Sequence, residues 1–161
     1  MQPLPLRLLS KKLKESGCTV CIGTAMEGLE DPANEICPIV AHFARRNKLF
    51  HTHFRNIRGG LHGFREVWPD EGDVDMLELT AALYDNGYRY MLDPDHAPDH
   101  PDDPDVSPKG EVAESNPYHN GSGRVRQSYA FEFGYVIALI QAVKRQRGVP
   151  WAAVRTPEPR L

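Results

Sequence analysis

Long apolar runs are what this chain of 161 residues lacks most plainly, since none approaches the ~20 residues that a membrane-spanning helix requires. The Leu-rich stretch from Met1 to Lys12 is broken by Pro3, Pro5, Arg7 and Ser10, and so contains no continuous signal-peptide core. Strong net charge is also missing. A formal charge of −3 gives no electrostatic reason to expect nucleic acid or an anionic membrane as partner. The basic cluster of Lys144, Arg145 and Arg147 falls at the end of an expected helix, where it complements the helix dipole. Cysteine is scarce. Cys18, Cys21 and Cys37 cannot all pair, which points to a reducing, cytoplasmic setting. The Cys18–Cys21 spacing resembles a redox or zinc CxxC, but no second pair follows, so a zinc ribbon or thioredoxin reading is weak. No internal repeat is present.

Three strand-like runs alternate with helical patterns. The strands are expected over 19–24, 49–56 and 88–93. Ile36, Ile39, Val40 and Phe43 recur at helical spacing after an Asp31-Pro32 start, with Pro38 as a potential kink or later start. Asp75 and Glu78 form a capping box before a helix that buries Met76, Leu79, Thr80 and Leu83 and ends at Asn86-Gly87. A last helix runs from about Ser128 to Arg147, is expected to bury Tyr129, Phe133, Val136, Ile137 and Ile140, and stops at Gly148 and Pro150. Residues 94 to 124 form a long loop rich in Pro, Asp, His, Gly and Asn, of a kind that is either functional or mobile. This alternation implies an α/β fold with a parallel sheet. It is either a small open sheet or the last units of a barrel, which takes about 250 residues.

In parallel α/β folds, active sites gather at the carboxyl ends of the strands. Each expected strand places a metal-ligand type there: Cys21 on the first, His51 and His53 on the second, and Asp95 with His96 after the third. Thiolate, imidazole and carboxylate together suit a borderline divalent ion such as Mn²⁺, Fe²⁺ or Zn²⁺. Each residue also has an ordinary structural role open to it. Cys21 taken alone reads as core, the histidines as interior groups with backbone partners, and Asp95 as a turn residue.

The strings Val20-Cys21-Ile22-Gly23-Thr24, His53-Phe54-Arg55-Asn56, Glu71-Gly72-Asp73-Val74-Asp75-Met76 and Pro94-Asp95-His96 occur in an order and approximate spacing that resembles the mannonate dehydratases. The resemblance extends from about Gly17 to Val136 and implies the xylose-isomerase-like TIM barrel. Residues 1–161 would then be a partial domain, the C-terminal part of a (β/α)8 barrel with about three βα units. It further implies Cys21, His53 and Asp95 as metal ligands, Arg55 and Asn56 as substrate-facing groups, and His96 as an acid/base residue. Tyr129 is the nearest candidate for a second acid/base residue, with a core aromatic as the other reading. The implied reaction removes water from D-mannonate to give 2-keto-3-deoxy-D-gluconate with Mn²⁺ or Fe²⁺.

The chain departs from the family pattern at three places. The His-Pro-Asp-Asp-Pro string that carries a fourth ligand upstream in the family occurs here downstream, at His100 to Pro104, where it reads as coincidence. Pro69 stands where many members have a histidine, and Arg124 to Tyr129 replaces a Gly-Tyr-Gly segment. The alternatives are therefore a sugar isomerase or epimerase on the same barrel, or a truncated, non-catalytic fragment. The expected partners are a small sugar acid and either a second copy or the missing N-terminal half of a barrel.

Overall fold

The structure is a computed structural model, and it describes residues 16–95, 98 and 126–151. The elements run β1 (Cys18–Cys21), α1 (Ile22–Glu27), α2 (Pro32–Ala44), β2 (Leu49–His53), β3 (Asn56–Gly60), β4 (Gly63–Val67), α3 (Met76–Asp85), β5 (Met91–Asp93) and α4 (Arg126–Gln146). The strands β1, β2 and β5 form a parallel sheet in that order, and β3 pairs with β4 as a separate antiparallel hairpin. The α/β class and the parallel sheet agree with the expectation. Among the described residues, no helix is long and apolar enough to cross a membrane.

The first strand is shorter than expected. After Cys21 the chain turns directly into α1, so Ile22, Gly23 and Thr24 are helical, and Ile22 and Met26 enter the core. The second strand also stops early, at His53. Phe54 still donates its N–H to the Asp93 carbonyl at 2.6 Å, but Asn56 opens the hairpin that the sequence patterning had not shown. That hairpin eluded patterning because β4 (Gly63–Val67) is exposed along most of its length and has no apolar alternation to reveal it.

The helices obey local chemistry. Asp75 caps α3, its Oδ1 accepting from Leu77 N at 2.8 Å and Glu78 N at 3.1 Å. At the start of α2 the cap works in the other direction. Glu35 Oε2 accepts from Asp31 N at 2.7 Å, which is the reciprocal half of a capping box. Pro38 lies inside α2 without ending it. The helix is retained because Ile36, Val40 and Ala44 bury one stripe in the core, each large apolar side chain contributing roughly 1.5–3 kcal/mol.

The last helix is rotated relative to the expected face. Ser128, Glu132, Val136, Leu139 and Val143 are buried, whereas Phe133 and Ile137 are 50% and 40% exposed. Apolar residues flank α4 on two sides, and periodicity alone does not say which side meets α3. Contacts with α3 choose the Val136–Leu139–Val143 stripe. One apolar cluster joins α1, α2, α3 and α4 to β2.

Candidate metal centre

Parallel pairing sets Cys21, His53 and Asp93 side by side across the sheet at its carboxyl edge. Two residues further on, Asp95 takes a positive φ of 60°. An Asp tolerates that left-handed conformation better than most residues, and such backbone is concentrated at functional sites. The turn brings Asp95 Oδ2 to 3.1 Å from His53 Nδ1. Cys21, His53 and Asp95 each offer a ligand atom, and these atoms all lie within 4.8 Å of one another. Their convergence depends on the whole parallel sheet, since each comes from a different strand end. Thiolate, imidazole and carboxylate form a donor set that fits a borderline divalent ion. Cys18 is not part of it. Its thiol lies on the Lys48 carbonyl at 3.3 Å, and all three cysteines are free. Burial pushes the Cys37 thiol up to about 11, helped by Glu78 and Asp75, so it stays protonated and inert.

Arg55 closes the site on one side. Its guanidinium donates to Cys21 Sγ at 3.4 Å and to Glu66 Oε1 at 2.7 Å, with Glu27 Oε1 at 3.9 Å. The approach depends on Gly23, because a Cβ there would meet the Arg55 Cβ at 3.2 Å. Five guanidinium donors leave Arg55 with capacity beyond these contacts.

Asn56, expected to face the substrate, is instead sealed in the protein. It is 1% exposed, its amide nitrogen donates to the carbonyls of Pro69 at 2.8 Å and Val74 at 3.0 Å, and its Oδ1 accepts from Ile57 N at 3.0 Å. A Cβ at Gly72 would overlap that amide. Asp73 completes the clamp, receiving Gly59 N on Oδ2 at 2.7 Å and donating its own N–H to the Ile57 carbonyl at 3.0 Å. The Arg55-Asn56 and Gly72-Asp73-Val74-Asp75 strings are thus two halves of one joint, which ties the hairpin to the start of α3.

The N-terminal part of α4 covers the site. Ser128 Oγ donates to the Pro98 carbonyl at 2.7 Å, and the Tyr129 hydroxyl donates to the Asp95 carbonyl at 2.8 Å. Tyr129 therefore braces the backbone turn that presents Asp95. Burial raises the Tyr129 phenol above its ordinary range, with Glu132, Asp95 and Asp93 adding to the effect.

Glu132 escaped the sequence reading. It sits in the buried stripe between Ser128 and Val136, 3% exposed, and its Oε2 has no hydrogen-bond partner. Burial pushes its carboxyl up to about 8, Glu66 pushes it further, and Arg55 opposes both. The available signal was an acid in helical register with core positions.

His96 and the His100–Pro104 string lie outside the described residues, as does most of the expected 94–124 loop. A recess of about 590 Å³, lined in part by Glu30, Gly60, His62 and Asp73, shares no residue with the metal-ligand cluster. It lacks the convergent ligand set of the strand ends.

The sequence profile of the D-mannonate dehydratase (UxuA) family matches residues 6–125. A mannonate dehydratase of Lactococcus lactis subsp. cremoris is 36% identical over 83 residues, covering 48% of this chain and 22% of that relative. One from Streptococcus suis is 31% identical over 85 residues, covering 52% of this chain and again 22% of the relative. The crystal structure of mannonate dehydratase from Streptococcus suis serotype 2 superposes with a TM-score of 0.59 at 25% identity, covering 90% of this chain and 36% of that one. The chain thus spans about a fifth of the length of these curated relatives, at 22%.

Proposed function

Because this chain belongs to the D-mannonate dehydratase family, we propose that it supplies the metal-binding strand ends of a lyase removing water from D-mannonate to give 2-keto-3-deoxy-D-gluconate. The carrying observation is the convergence of Cys21, His53 and Asp95 within 4.8 Å at the carboxyl edge of the sheet. In this reading the sheet is the C-terminal part of a TIM-type (β/α)8 barrel. A second copy or the missing N-terminal half of the barrel contributes the remaining strands and any fourth ligand.

The residues divide the work by their chemistry. Cys21, His53 and Asp95 would hold Mn²⁺ or Fe²⁺, which when bound would supply charge stabilisation to the substrate carboxylate. Arg55 uses its remaining donors to orient that carboxylate. His96, as the acid/base residue, takes the C2 proton and delivers a proton to the C3 hydroxyl, which departs as water as the C2–C3 double bond forms. Tautomerisation of the resulting enol yields the keto acid. The raised phenol keeps Tyr129 protonated, so its part is to donate and to brace the Asp95 turn. Asn56 holds the hairpin joint and takes no substrate.

The test is keto-acid formation from D-mannonate by the chain completed with the N-terminal half of the barrel, with and without added Mn²⁺. Metal-dependent formation of the keto acid is expected, and Asp95→Asn should lose activity together with the ion held by Cys21, His53 and Asp95. His96→Asn should keep its metal and fall about 10²–10⁴-fold in turnover. A product that retains all its water would replace dehydration with isomerisation. Neither metal uptake nor turnover would leave a non-catalytic fragment.

A further inference from the structure

Beyond Cys21 and Asp95, the same sheet edge carries donors for which the proposed lyase site has no use. His51, His53 and Asp93 also offer ligand atoms that all lie within 4.8 Å of one another. His51 and His53 are alternate residues on β2, with ring centroids 5.0 Å apart. Asp93 is the cross-strand partner of His53 on β5.

The decisive atom is His51 Nε2. It is closed off from solvent and makes no hydrogen bond, although Asp93 Oδ2 lies 3.4 Å away. A buried polar atom left in that condition costs about 1–3 kcal/mol and calls for an explanation. An ordinary ion pair does not provide one, because the contact is too long and too poorly directed to satisfy the ring nitrogen. The Asp93 carboxylate is already fixed on one side, its Oδ1 accepting from Asp95 N at 3.3 Å. Oδ2 is left facing His51.

We propose that this sheet edge holds a second divalent cation, bound by His51 Nε2 and Asp93 Oδ2, with His53 common to this position and the Cys21–Asp95 position and its ring proton released to solvent when both are filled. Two imidazoles and a carboxylate suit Mn²⁺, Fe²⁺ or Zn²⁺. A ring that ligates through both nitrogens sets its ions further apart than the about 3.5–4 Å of enzymes whose paired ions share an oxygen. Here the second ion would take an oxygen of an anionic, polyhydroxylated substrate. The site follows from side-chain geometry alone, and it overlaps the proposed lyase centre only at His53.

Equilibrium dialysis of the metal-stripped full chain against Mn²⁺ tests this, with electron paramagnetic resonance reporting whether bound ions are spin-coupled. Wild type should bind about two Mn²⁺ with a coupled spectrum. His51→Phe and Asp93→Asn should each bind one, uncoupled, while His62→Gln, at an exposed histidine paired with Glu30, still binds two. Circular dichroism verifies folding, and Asp93→Asn, which preserves side-chain shape, decides if His51→Phe is misfolded. Two ions in both His51→Phe and Asp93→Asn would overturn the second position. So would a single wild-type ion that disappears only with Cys21→Ser, and that result would leave the lyase centre standing. A single ion lost with Asp93→Asn but kept with Cys21→Ser would support the second position and sink the lyase centre. No uptake at all would overturn both.

Discussion

Glu132→Gln should stabilise this protein at neutral pH and leave it unchanged in acid. The carboxyl of Glu132 is 3% exposed, one oxygen has no hydrogen-bond partner, and burial is the largest cause of its rise from 4.5 to about 8. The facing charges are Glu66 on β4, which adds to the rise, and Arg55 between β2 and β3, which opposes it. A carboxyl raised on folding binds its proton more tightly in the native state. Its contribution to stability is therefore complete below pH 4.5 and is lost progressively as pH rises toward 8. At pH 7 the unfolded carboxyl is ionised and the folded one is still protonated, a difference of about 3 kcal/mol at 1.36 kcal/mol per pH unit. Glutamine is neutral in both states and avoids it. Urea unfolding of both proteins, followed by circular dichroism in chelator-containing buffer at several pH values from about 4.5 to 8, gives the difference directly. Other titrating groups cancel between the two. A stability difference independent of pH, or a Gln variant weaker throughout, would refute the reasoning.

Asn56→Ala removes the partner of two buried carbonyls and should lower stability by about 2–4 kcal/mol in the same unfolding assay, and a loss under 1 would contradict its place in the joint. Tyr129→Phe should cost about 1 kcal/mol and weaken Mn²⁺ binding at the Cys21–Asp95 position by releasing the Asp95 turn, so unchanged affinity would argue against the brace. The outer edges of β1 and β5 are unpaired among the described residues, so sedimentation should show self-association that rises with concentration. A strict monomer at high concentration would count against a sheet awaiting further strands.

Residue patterning placed Cys21, His53 and Asp95 at neighbouring strand ends because strand ends are local properties, while their role as ligands is what the family resemblance implies. Cys21 and His53 close apolar or alternating runs, and Asp95 follows a short strand with a proline. The hairpin of Asn56–Gly60 and Gly63–Val67 was not legible, since β4 is largely exposed without apolar alternation and β3 is held by long-range bonds to Asp73 and Glu71. Asn56 was misplaced for a related reason. Adjacency to Arg55 suggested a shared task, whereas its partners lie 13 and 18 residues away in sequence. The orientation of α4 was equally hidden, because Phe131, Phe133 and Ile137 offer a second apolar face that only packing against α3 rejects. Glu132 followed from that rotation, as an acid that becomes buried only when Val136 and Leu139 face inward.

The most direct measurement of the central claim is the absorption spectrum of the Co²⁺-loaded chain, in wild type and in Cys21→Ser. Only the Cys21 position contains sulfur among the clustered ligands, so wild type should show an intense thiolate-to-cobalt charge-transfer band in the near ultraviolet. Cys21→Ser should lose that band, and Asp95→Asn should weaken cobalt binding at the same position. Cobalt bound with no thiolate band, or a band that survives Cys21→Ser, would contradict a metal centre built from Cys21, His53 and Asp95.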